Sequence, residues 1–260
     1  MPNASETFFP TKPERKEERR KETRDRKLLD EFFDHPTLLA ISRLVTQGQF
    51  LQLDYPISTG KEGGVFRATT EGGGFRAVKV YRIGNAVLRH LPAYALEELK
   101  HTASLSNYAR LIYAWTRREH TVLRKMREAE VRCPETYGYL RNVLVMEFIG
   151  TGELPAPRLR DAVVEDLESL YRSLTAQLYR MVVDAKLVHG DLSPYNVLYH
   201  EGAPVLIDVA QAIATDHPQA RALHERDCAH FARYLEKLGV DTSPEEFLRL
   251  AGGDKLPHPE

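Results

Sequence analysis

The sequence predicts an α+β fold of two lobes, the first built on an antiparallel sheet with one long helix and the second mostly helical. Short β-type runs come close together up to Ile83 and include a turn of three glycines at 72–74. Longer stretches of helical periodicity follow, at about 110–130 and 164–186. A cluster of glycine and proline at 150–157 separates the two helices and marks the expected boundary between the lobes.

The first 53 residues are predicted to form two parts. Residues 1–27 are a charged N-terminal arm, in which the segment 12–27 holds nine basic and five acidic residues. Because this segment has no apolar stripe, it is either a solvated helix or a mobile arm that touches the phosphates of a nucleic acid. Residues 28–53 are a helical extension. Its helical pattern ends ahead of Gly48, because glycine readily adopts the left-handed conformation that closes a helix.

Residues 54–150 are predicted to form the first lobe. Three strands make an antiparallel meander, one running through Ile57, one from Val65 to Ala68 and one from Phe75 to Ile83. The weakly periodic region 84–107 is expected to be a long, mobile connection. A clear helix follows from about Arg110 to Glu130, and then a strand from Asn142 to Ile149.

Residues 151–251 are predicted to form the second lobe, and 252–260 a tail. An amphipathic helix extends to about Lys186, and two short strands flank the turn at 201–204. A last helical region ends near Gly239. This order of elements contains no internal repeat.

The composition is that of an ordinary globular protein. Of 260 residues, 42% are hydrophobic and 28% charged, and the formal net charge of -1 offers no argument for nucleic-acid binding by the chain as a whole. Two cysteines, Cys133 and Cys228, lack the spacing of a zinc site or a disulfide framework. No run of about 18 apolar residues is present to span a bilayer. We therefore expect a cytoplasmic protein without membrane contact.

The most informative segment is HGDLSPYN at 189–196, followed by an apolar strand that ends at Asp208. Phosphoryl transfer needs a carboxylate to orient the attacking hydroxyl, and oxygen ligands for a Mg²⁺ ion that keeps waters and phosphate oxygens. Asp191, Asn196 and Asp208 supply these groups. The spacing matches the catalytic loop and the metal-binding aspartate of protein kinases, although each residue alone is also typical of a turn.

A second motif, STGKEGGV at 58–65, can be laid on the glycine-rich loop of protein kinases. Small residues let backbone N–H groups approach phosphates, so we assign Ser58, Gly60, Lys61 and Val65 to nucleotide binding. Taken alone, the pattern fits a plain hairpin turn equally well. It is not a Walker A loop, because GxxxxGK[ST] is absent.

A buried ion pair is predicted between Lys79 and Glu119. Lys79 shares one strand face with Phe75, Ala77 and Tyr81, so its ammonium group needs an anionic partner. Glu119 lies in the apolar stripe of the helix from Arg110, where a carboxylate also needs a partner. The pair would place Lys79 against the α- and β-phosphates of ATP. The alternative is that Glu119 reaches out to water.

Together these motifs resemble the RIO family of atypical protein kinases, most closely its type-one subfamily. The resemblance covers about residues 38–240 and rests on the loop at 58–65, AVKVYRI at 77–83, VLVMEFIG at 143–150 with LPAP at 154–157, HGDLSPYN at 189–196 and IDVAQA at 207–212. It implies a two-lobed protein-kinase-like fold that lacks the usual activation segment. It also implies ATP and Mg²⁺, with Mn²⁺ as an alternative ion.

The resemblance implies a role for each site residue. Asp191 would be the catalytic base and Lys79 the phosphate-binding lysine, while Asn196 and Asp208 would hold the metal. The adenine hinge would consist of Met146, Glu147 and Ile149. Because family members also act as ATPases in which the residue matching Asp208 carries a phosphoryl group, Asp208 is expected to be catalytic as well.

Three functions fit these features. The first is an ATP-dependent serine/threonine protein kinase or ATPase in the maturation of the small ribosomal subunit, with the chain itself or a ribosome-associated protein as substrate. Thr102, Ser104 and Ser106 would be candidate autophosphorylation sites, or merely polar residues of an exposed loop. The second is a small-molecule phosphotransferase of the aminoglycoside or choline kinase type. The third is a nucleotide-switched module that binds ribosomal RNA through residues 12–27.

Overall fold

The first lobe is a five-stranded antiparallel sheet. The computed structural model describes residues 33–84, 91–102 and 108–257, so the charged segment 12–27 lies outside the described residues. The strands are β1 (Gln52–Thr59), β2 (Gly63–Thr69), β3 (Phe75–Tyr81), β4 (Thr136–Leu140) and β5 (Val143–Glu147). They lie in the order β1-β2-β3-β5-β4.

The predicted meander of β1 to β3 is confirmed, but the sequence prediction missed β4. This strand is half-buried at most, and Gly138 interrupts its five residues. Its pairing with β5 shifts register between Thr136 and Gly138. A strand of five residues at the edge of the sheet, with a glycine at its centre, gives only a weak sequence signal.

A helix, α1 (His35–Thr46), covers the outer face of the sheet. It begins where Asp34 accepts a hydrogen bond from the Thr37 N–H at 2.9 Å. It ends just before Gly48, whose φ of 70° is left-handed, as predicted. The buried side chains of Ala40 and Leu44 pack on the sheet and form the core of this lobe.

The region 84–107, expected to be a long, mobile connection, instead contains a helix, α2 (Ala93–Thr102). Leu91, Ala95 and Leu99 recur at steps of four and are buried. This spacing is a helical signal, but it extends over too few residues to stand out. Thr102 ends α2, whereas Ser104 and Ser106 lie outside the described residues.

A long helix, α3 (Tyr108–Glu128), follows as predicted and packs between the sheet and the second lobe. One stripe of its side chains is buried, and Glu119 is part of that stripe. The same helix contacts α2 and the turn at Val209–Gln211 in the second lobe. It therefore connects three parts of the molecule.

The second lobe is mostly helical, as predicted. Its short strands form three antiparallel pairs, and its buried apolar side chains belong to two clusters that both include side chains of α3; the elements are β6 (Gly150–Thr151), β7 (Leu154–Pro155), α4 (Leu167–Val183), β8 (Leu187–Val188), β9 (Val197–His200), β10 (Ala203–Leu206), β11 (Ile213–Ala214), α5 (Ala220–Leu238) and α6 (Pro244–Leu250). As predicted, α5 ends at a left-handed Gly239, φ 99°.

Little chain separates the end of β10 from α5. A single 3₁₀ turn (Val209–Gln211) and β11 fill this interval, so there is no long activation segment here. The two-lobed α+β fold is thus the predicted one. Among the helices that the structure describes, none is both long and apolar enough to cross a membrane.

Candidate active site

A cleft between the lobes contains the predicted site residues. It consists of an inner cavity of about 380 Å³ and an adjoining outer cavity of about 590 Å³. Both cavities are lined by Ser58, Val65, Lys79, Arg158 and Asp208, so they form one continuous space. Its size is that of a small-ligand site.

Lys79, on β3, lies between two carboxylates at the centre of this cleft. Its Nζ donates to Glu119 Oε1 at 2.7 Å and to Asp208 Oδ1 at 2.5 Å. The predicted pair with Glu119 is therefore present, and Glu119, only 1% exposed, does not reach water. Tyr81 completes the cluster by donating its hydroxyl to Glu119 Oε2. Burial alone would lower the pKa of Lys79, but Asp208 and Glu119 raise it well above its ordinary value.

Asp208 lies where β10 leads into the 3₁₀ turn. Its backbone is left-handed, with φ 57° and ψ 50°, a conformation that aspartate tolerates better than most residues. This conformation supports the contact with Lys79, while 42% of the side chain stays exposed to the cleft. The neighbouring Lys79 ammonium lowers the pKa of the Asp208 carboxyl, and it does so against the effect of burial.

Asp191 lies in the outer cavity on the loop at 189–196. Asn196 Nδ2 donates to its backbone oxygen at 2.8 Å and to its Oδ2 at 3.2 Å. Gln211 Nε2 donates to the same Oδ2 at 3.3 Å. The side chain is exposed to the cleft, and partial desolvation by the surrounding residues raises its pKa.

Several side chains brace this loop from behind. His189 Nε2 lies 3.1 Å from the carbonyl oxygen of Ile207, and the Asp191 N–H points to His189 Nδ1 at 3.3 Å. The buried Asp227 accepts the Leu192 N–H at 3.1 Å, and Arg226 donates to the Gly190 carbonyl at 2.7 Å. The loop is thus held by both α5 and the chain that follows β10.

The remaining predicted residues line the two ends of the cleft. Met146, Glu147 and Ile149 line the inner cavity together with apolar side chains of both lobes, which makes that end suited to a flat aromatic group. Gly60 and Lys61 line the outer cavity with the rest of the loop 58–65. Each predicted site residue therefore lines one of the two cavities.

The loop 58–65 lies close to the sheet. The Gly60 N–H donates to the Gly63 carbonyl at 2.9 Å. A Cβ on Gly63 would lie 2.5 Å from the Val80 carbonyl oxygen, so no larger residue fits without a shift of the backbone. This close packing fixes the loop over the outer cavity.

Among the cleft residues that sequence reasoning did not assign to the site, Arg158 and Gln211 contact predicted site residues. Arg158 lines both cavities and donates to Ser58 Oγ at 3.0 Å, which adds a positive charge at the outer end. Its position directly after the proline-rich boundary was the only signal. Gln211 was visible within IDVAQA, but its contact with Asp191 depends on the turn that brings it across the cleft.

This fold and this cleft define a kinase of the two-lobed type, with a buried Lys–Glu pair on the sheet and an aspartate–asparagine loop facing it. The model of the RIO domain family matches residues 64–247. The chain belongs to the RIO family, as the motifs predicted.

Relatives with curated names agree with this assignment. The chain is 35% identical over 223 residues to the RIO-type serine/threonine-protein kinase Rio1 of Haloferax volcanii, a match over 86% of this chain and 77% of that protein. It is 31% identical to Rio1 of Methanocaldococcus jannaschii, over 92% of this chain and 82% of that one. The human serine/threonine-protein kinase RIO1 is 34% identical over 85% of this chain, which spans only 39% of that longer protein. These relatives confirm the prediction of a RIO-type protein kinase.

Solved structures with the same fold include the Rio2 kinase of Chaetomium thermophilum. It superposes with a TM-score of 0.66 at 23% identity, over 84% of this chain and 67% of that one. A complex of the same kinase with ADP, Mg²⁺ and phosphoaspartate has a TM-score of 0.64 at 22% identity, over the same shares of the two chains. At this identity the likeness establishes the fold alone.

Proposed function

We propose that this chain transfers the γ-phosphoryl group of ATP to a serine or threonine hydroxyl of a protein, with release of phosphate to water as a second outcome. The observation that carries the proposal is the triad of Lys79, Glu119 and Asp208 facing Asp191 across one cleft. The inner cavity would take the adenine ring, and the outer cavity the phosphates. Lys79, Lys61 and Arg158 supply the positive charge that phosphates require.

The donor set fits a Mg²⁺ ion held partly by the substrate. Among the described residues no group of three or more His, Cys, Asp or Glu side chains could hold a metal. Mg²⁺ needs no such group, because it binds one or two protein oxygens, phosphate oxygens and waters. The Asp208 carboxylate faces the cleft, and the Asn196 amide nitrogen is occupied by Asp191, which leaves Oδ1 as the ligand atom. When bound, Mg²⁺ would neutralise charge that develops on the phosphates.

Asp191 acts as the base in this proposal. The acceptor hydroxyl oxygen forms a bond to the γ-phosphorus while the bond from that phosphorus to the β-bridging oxygen breaks, and the hydroxyl proton passes to the Asp191 carboxylate. The raised pKa of Asp191 suits it to accept that proton. Lys79 and Arg158 meanwhile hold the departing diphosphate.

The hydrolytic branch passes through Asp208. Its carboxylate oxygen would form a bond to the γ-phosphorus while the bond from that phosphorus to the β-bridging oxygen breaks and ADP leaves. Water would then cleave the phosphoaspartate to free phosphate and the regenerated carboxylate. The Rio2 structure that contains a phosphoaspartate supports this branch by analogy. An acyl phosphate is cleaved by hydroxylamine, whereas a phosphoserine is not, so the two products are separable.

Transfer of radiolabel from [γ-³²P]ATP in the presence of Mg²⁺ tests the proposal. Wild type should label protein or release phosphate, and Asp191→Asn and Asp208→Asn should each lose this activity. Asp241→Asn, an exposed aspartate outside the cleft, is the matched control and should behave as wild type. Equal activity in all four proteins would contradict the proposal, whereas hydroxylamine-labile label on wild type would identify the hydrolytic branch.

We further propose that the substrate belongs to the maturing small ribosomal subunit and that residues 12–27 contact ribosomal RNA. Support comes from the excess of basic residues in this segment and from the family resemblance. Neutralising phosphates with basic side chains makes affinity fall with salt. Deletion of residues 1–27 should therefore weaken RNA binding and reduce its salt dependence. Unchanged affinity and salt dependence would refute the RNA contact but leave the kinase proposal intact.

A further inference from the structure

The 3₁₀ turn after Asp208 is held by the helices next to it. Three consecutive carbonyl groups accept hydrogen bonds from side chains of α2 and α3. Arg118 donates to Ala210 O at 2.9 Å and to Ala212 O at 2.6 Å, and between them the Tyr94 hydroxyl donates to Gln211 O at 2.9 Å. The turn therefore cannot move without breaking contacts to both helices.

The side chain of Gln211 carries this constraint to the catalytic loop. Its Nε2 donates to Asp191 Oδ2, the oxygen that also accepts from Asn196. Two amide donors on one carboxylate oxygen fix the rotation of the carboxylate. Oδ1 is then the oxygen left to accept a proton from a substrate hydroxyl.

We propose that Tyr94 and Gln211 are positioning residues for Asp191: the Tyr94 hydroxyl fixes the turn, and Gln211 on that turn orients the carboxylate. This inference rests on the proposed role of Asp191 as the base. It makes α2, a helix far from Asp191 in the sequence, a part of the catalytic apparatus. Neither residue needs to touch the substrate.

The catalytic loop packs tightly against the 3₁₀ turn and Tyr94. Gly190, with φ 77°, lies so close to the turn that a Cβ there would meet Gln211 O at 2.8 Å and the Tyr94 hydroxyl at 3.0 Å. Tyr94 is only 8% exposed, and its ring lies edge-on to His217. Burial raises the pKa of Tyr94 to about 12, so the hydroxyl keeps its proton and acts as the donor.

A kinetic comparison of four single variants tests the inference. Tyr94→Phe keeps the ring and removes only the hydroxyl, and Gln211→Ala removes the amide donor. The matched controls are Tyr108→Phe, at an exposed tyrosine that begins α3, and Gln219→Ala, at an exposed glutamine. Gln219 precedes α5, but its side chain makes no capping hydrogen bond. Small displacements of catalytic groups reduce turnover up to about 100-fold. We expect kcat to fall about 10-fold in Tyr94→Phe and about 10- to 100-fold in Gln211→Ala, with KM for ATP unchanged.

The double variant Tyr94→Phe/Gln211→Ala separates positioning from a general loss of stability. Because Tyr94 acts through Gln211, the double variant should be no slower than Gln211→Ala alone. Multiplicative losses in the double variant, a rise in KM for ATP in place of a fall in kcat, or kcat values equal to the controls would overturn the inference. In those three cases wild type still turns over and Asp191→Asn does not, so the proposed function survives.

A measurement that needs no turnover tests the inference even if wild type does not transfer phosphate. The side-chain amide NMR signal of Gln211, identified by its loss in Gln211→Ala, should shift in Tyr94→Phe and in Asp191→Asn but not in Tyr108→Phe. A Gln211 signal whose chemical shift is unchanged in both Tyr94→Phe and Asp191→Asn would overturn the inference. If wild type fails to transfer phosphate while this signal shifts as expected, the proposed reaction fails and the contact chain stands.

Discussion

Asp191 and Asp208 lie in the same cleft, yet their surroundings act on them in opposite directions. Asp208 contacts the Lys79 ammonium at 2.5 Å, and this charge lowers its pKa. The Asp191 carboxylate accepts hydrogen bonds from the neutral amides of Asn196 and Gln211, and desolvation raises its pKa. One carboxylate is therefore kept anionic, and the other is prepared to take a proton.

The difference is what the proposed division of roles between a base and a metal ligand requires. A group that holds a metal ion must remain charged, whereas a base works best when its pKa approaches the working pH. Pairs of titratable groups with opposite pKa shifts mark the division of such roles. In this protein the division follows the lobes, because Lys79 comes from the sheet and the amides come from the second lobe.

The largest effect is expected where the sheet-side charges are buried. Glu119→Ala removes one partner of Lys79 and the acceptor of the Tyr81 hydroxyl. Breaking a buried ion pair costs about 3 to 5 kcal/mol, so the free energy of unfolding should fall by about this amount and ATP turnover should be lost. Chemical denaturation measures the first and phosphate release the second. Wild-type stability in this variant would mean that the pair contributes nothing to the fold.

A substitution of Asp191, on the loop 189–196, should reduce activity without reducing stability. Asp191→Asn is expected to reduce kcat by about 10² to 10⁴, the range for loss of a general base. Because ionisation of a carboxyl with a raised pKa opposes folding, the variant should unfold at the same or a slightly higher denaturant concentration than wild type at pH 7. Steady-state kinetics and a denaturation midpoint on the same preparation check both parts. A marked loss of stability would show that Asp191 is a structural residue.

The pH dependence of stability should differ between the two aspartates. The folded pKa of Asp208 lies below its ordinary value of 3.8, so its ion pair contributes stability above that pH and loses it as the pH falls through the folded pKa. Denaturant unfolding between pH 7 and pH 3 should thus show Asp208→Asn less stable than wild type at neutral pH, with the gap closing in acid. The pKa of Asp191 is shifted in the opposite direction, so Asp191→Asn should gain stability at neutral pH where Asp208→Asn loses it. This gain should vanish in acid, because wild-type Asp191 is then protonated. Parallel curves for all three proteins would contradict both assignments.

The smallest effect is expected at Glu128, an exposed carboxylate on α3, the helix that also contains Glu119. Glu128 pairs with Arg124 at 3.4 Å, and both side chains are about two-thirds exposed, at 67% and 63%. Exposed pairs of this spacing contribute about 0.3 to 0.5 kcal/mol, so Glu128→Ala should barely change the denaturation midpoint. A loss comparable to that of Glu119→Ala would show that burial is not what distinguishes the cleft pair.

Much of the site could be predicted from the sequence, because most of its residues belong to a short motif or to a regular strand or helix pattern. The loop at 189–196 carries Asp191 and Asn196 within eight residues, and strand alternation at Lys79 and helical periodicity at Glu119 each demanded a charged partner. The Lys79–Glu119 contact could therefore be predicted from these two patterns, with Glu119 reaching water as the alternative. The two-lobed architecture followed in the same way from the order of strands and helices.

What could not be predicted depends on contacts between distant segments. Tyr94 reaches Gln211 across 117 positions, and Arg158 reaches Ser58 across 100. Neither contact leaves a periodicity or a motif, since each depends on how the elements pack. The helix α2 was missed because its ten residues make a weak pattern whose significance lies in what it packs against.

Calorimetric titration of MgATP into Asp191→Asn and Asp208→Asn tests the division of roles most directly, because binding and turnover are measured apart. Asp191→Asn should bind MgATP with wild-type affinity and fail to turn it over. Asp208→Asn should lose the gain in affinity that Mg²⁺ gives wild type and bind ATP equally with and without the ion. If Asp191→Asn loses the Mg²⁺ effect while Asp208→Asn keeps it, the two aspartates do not divide the chemistry in this way.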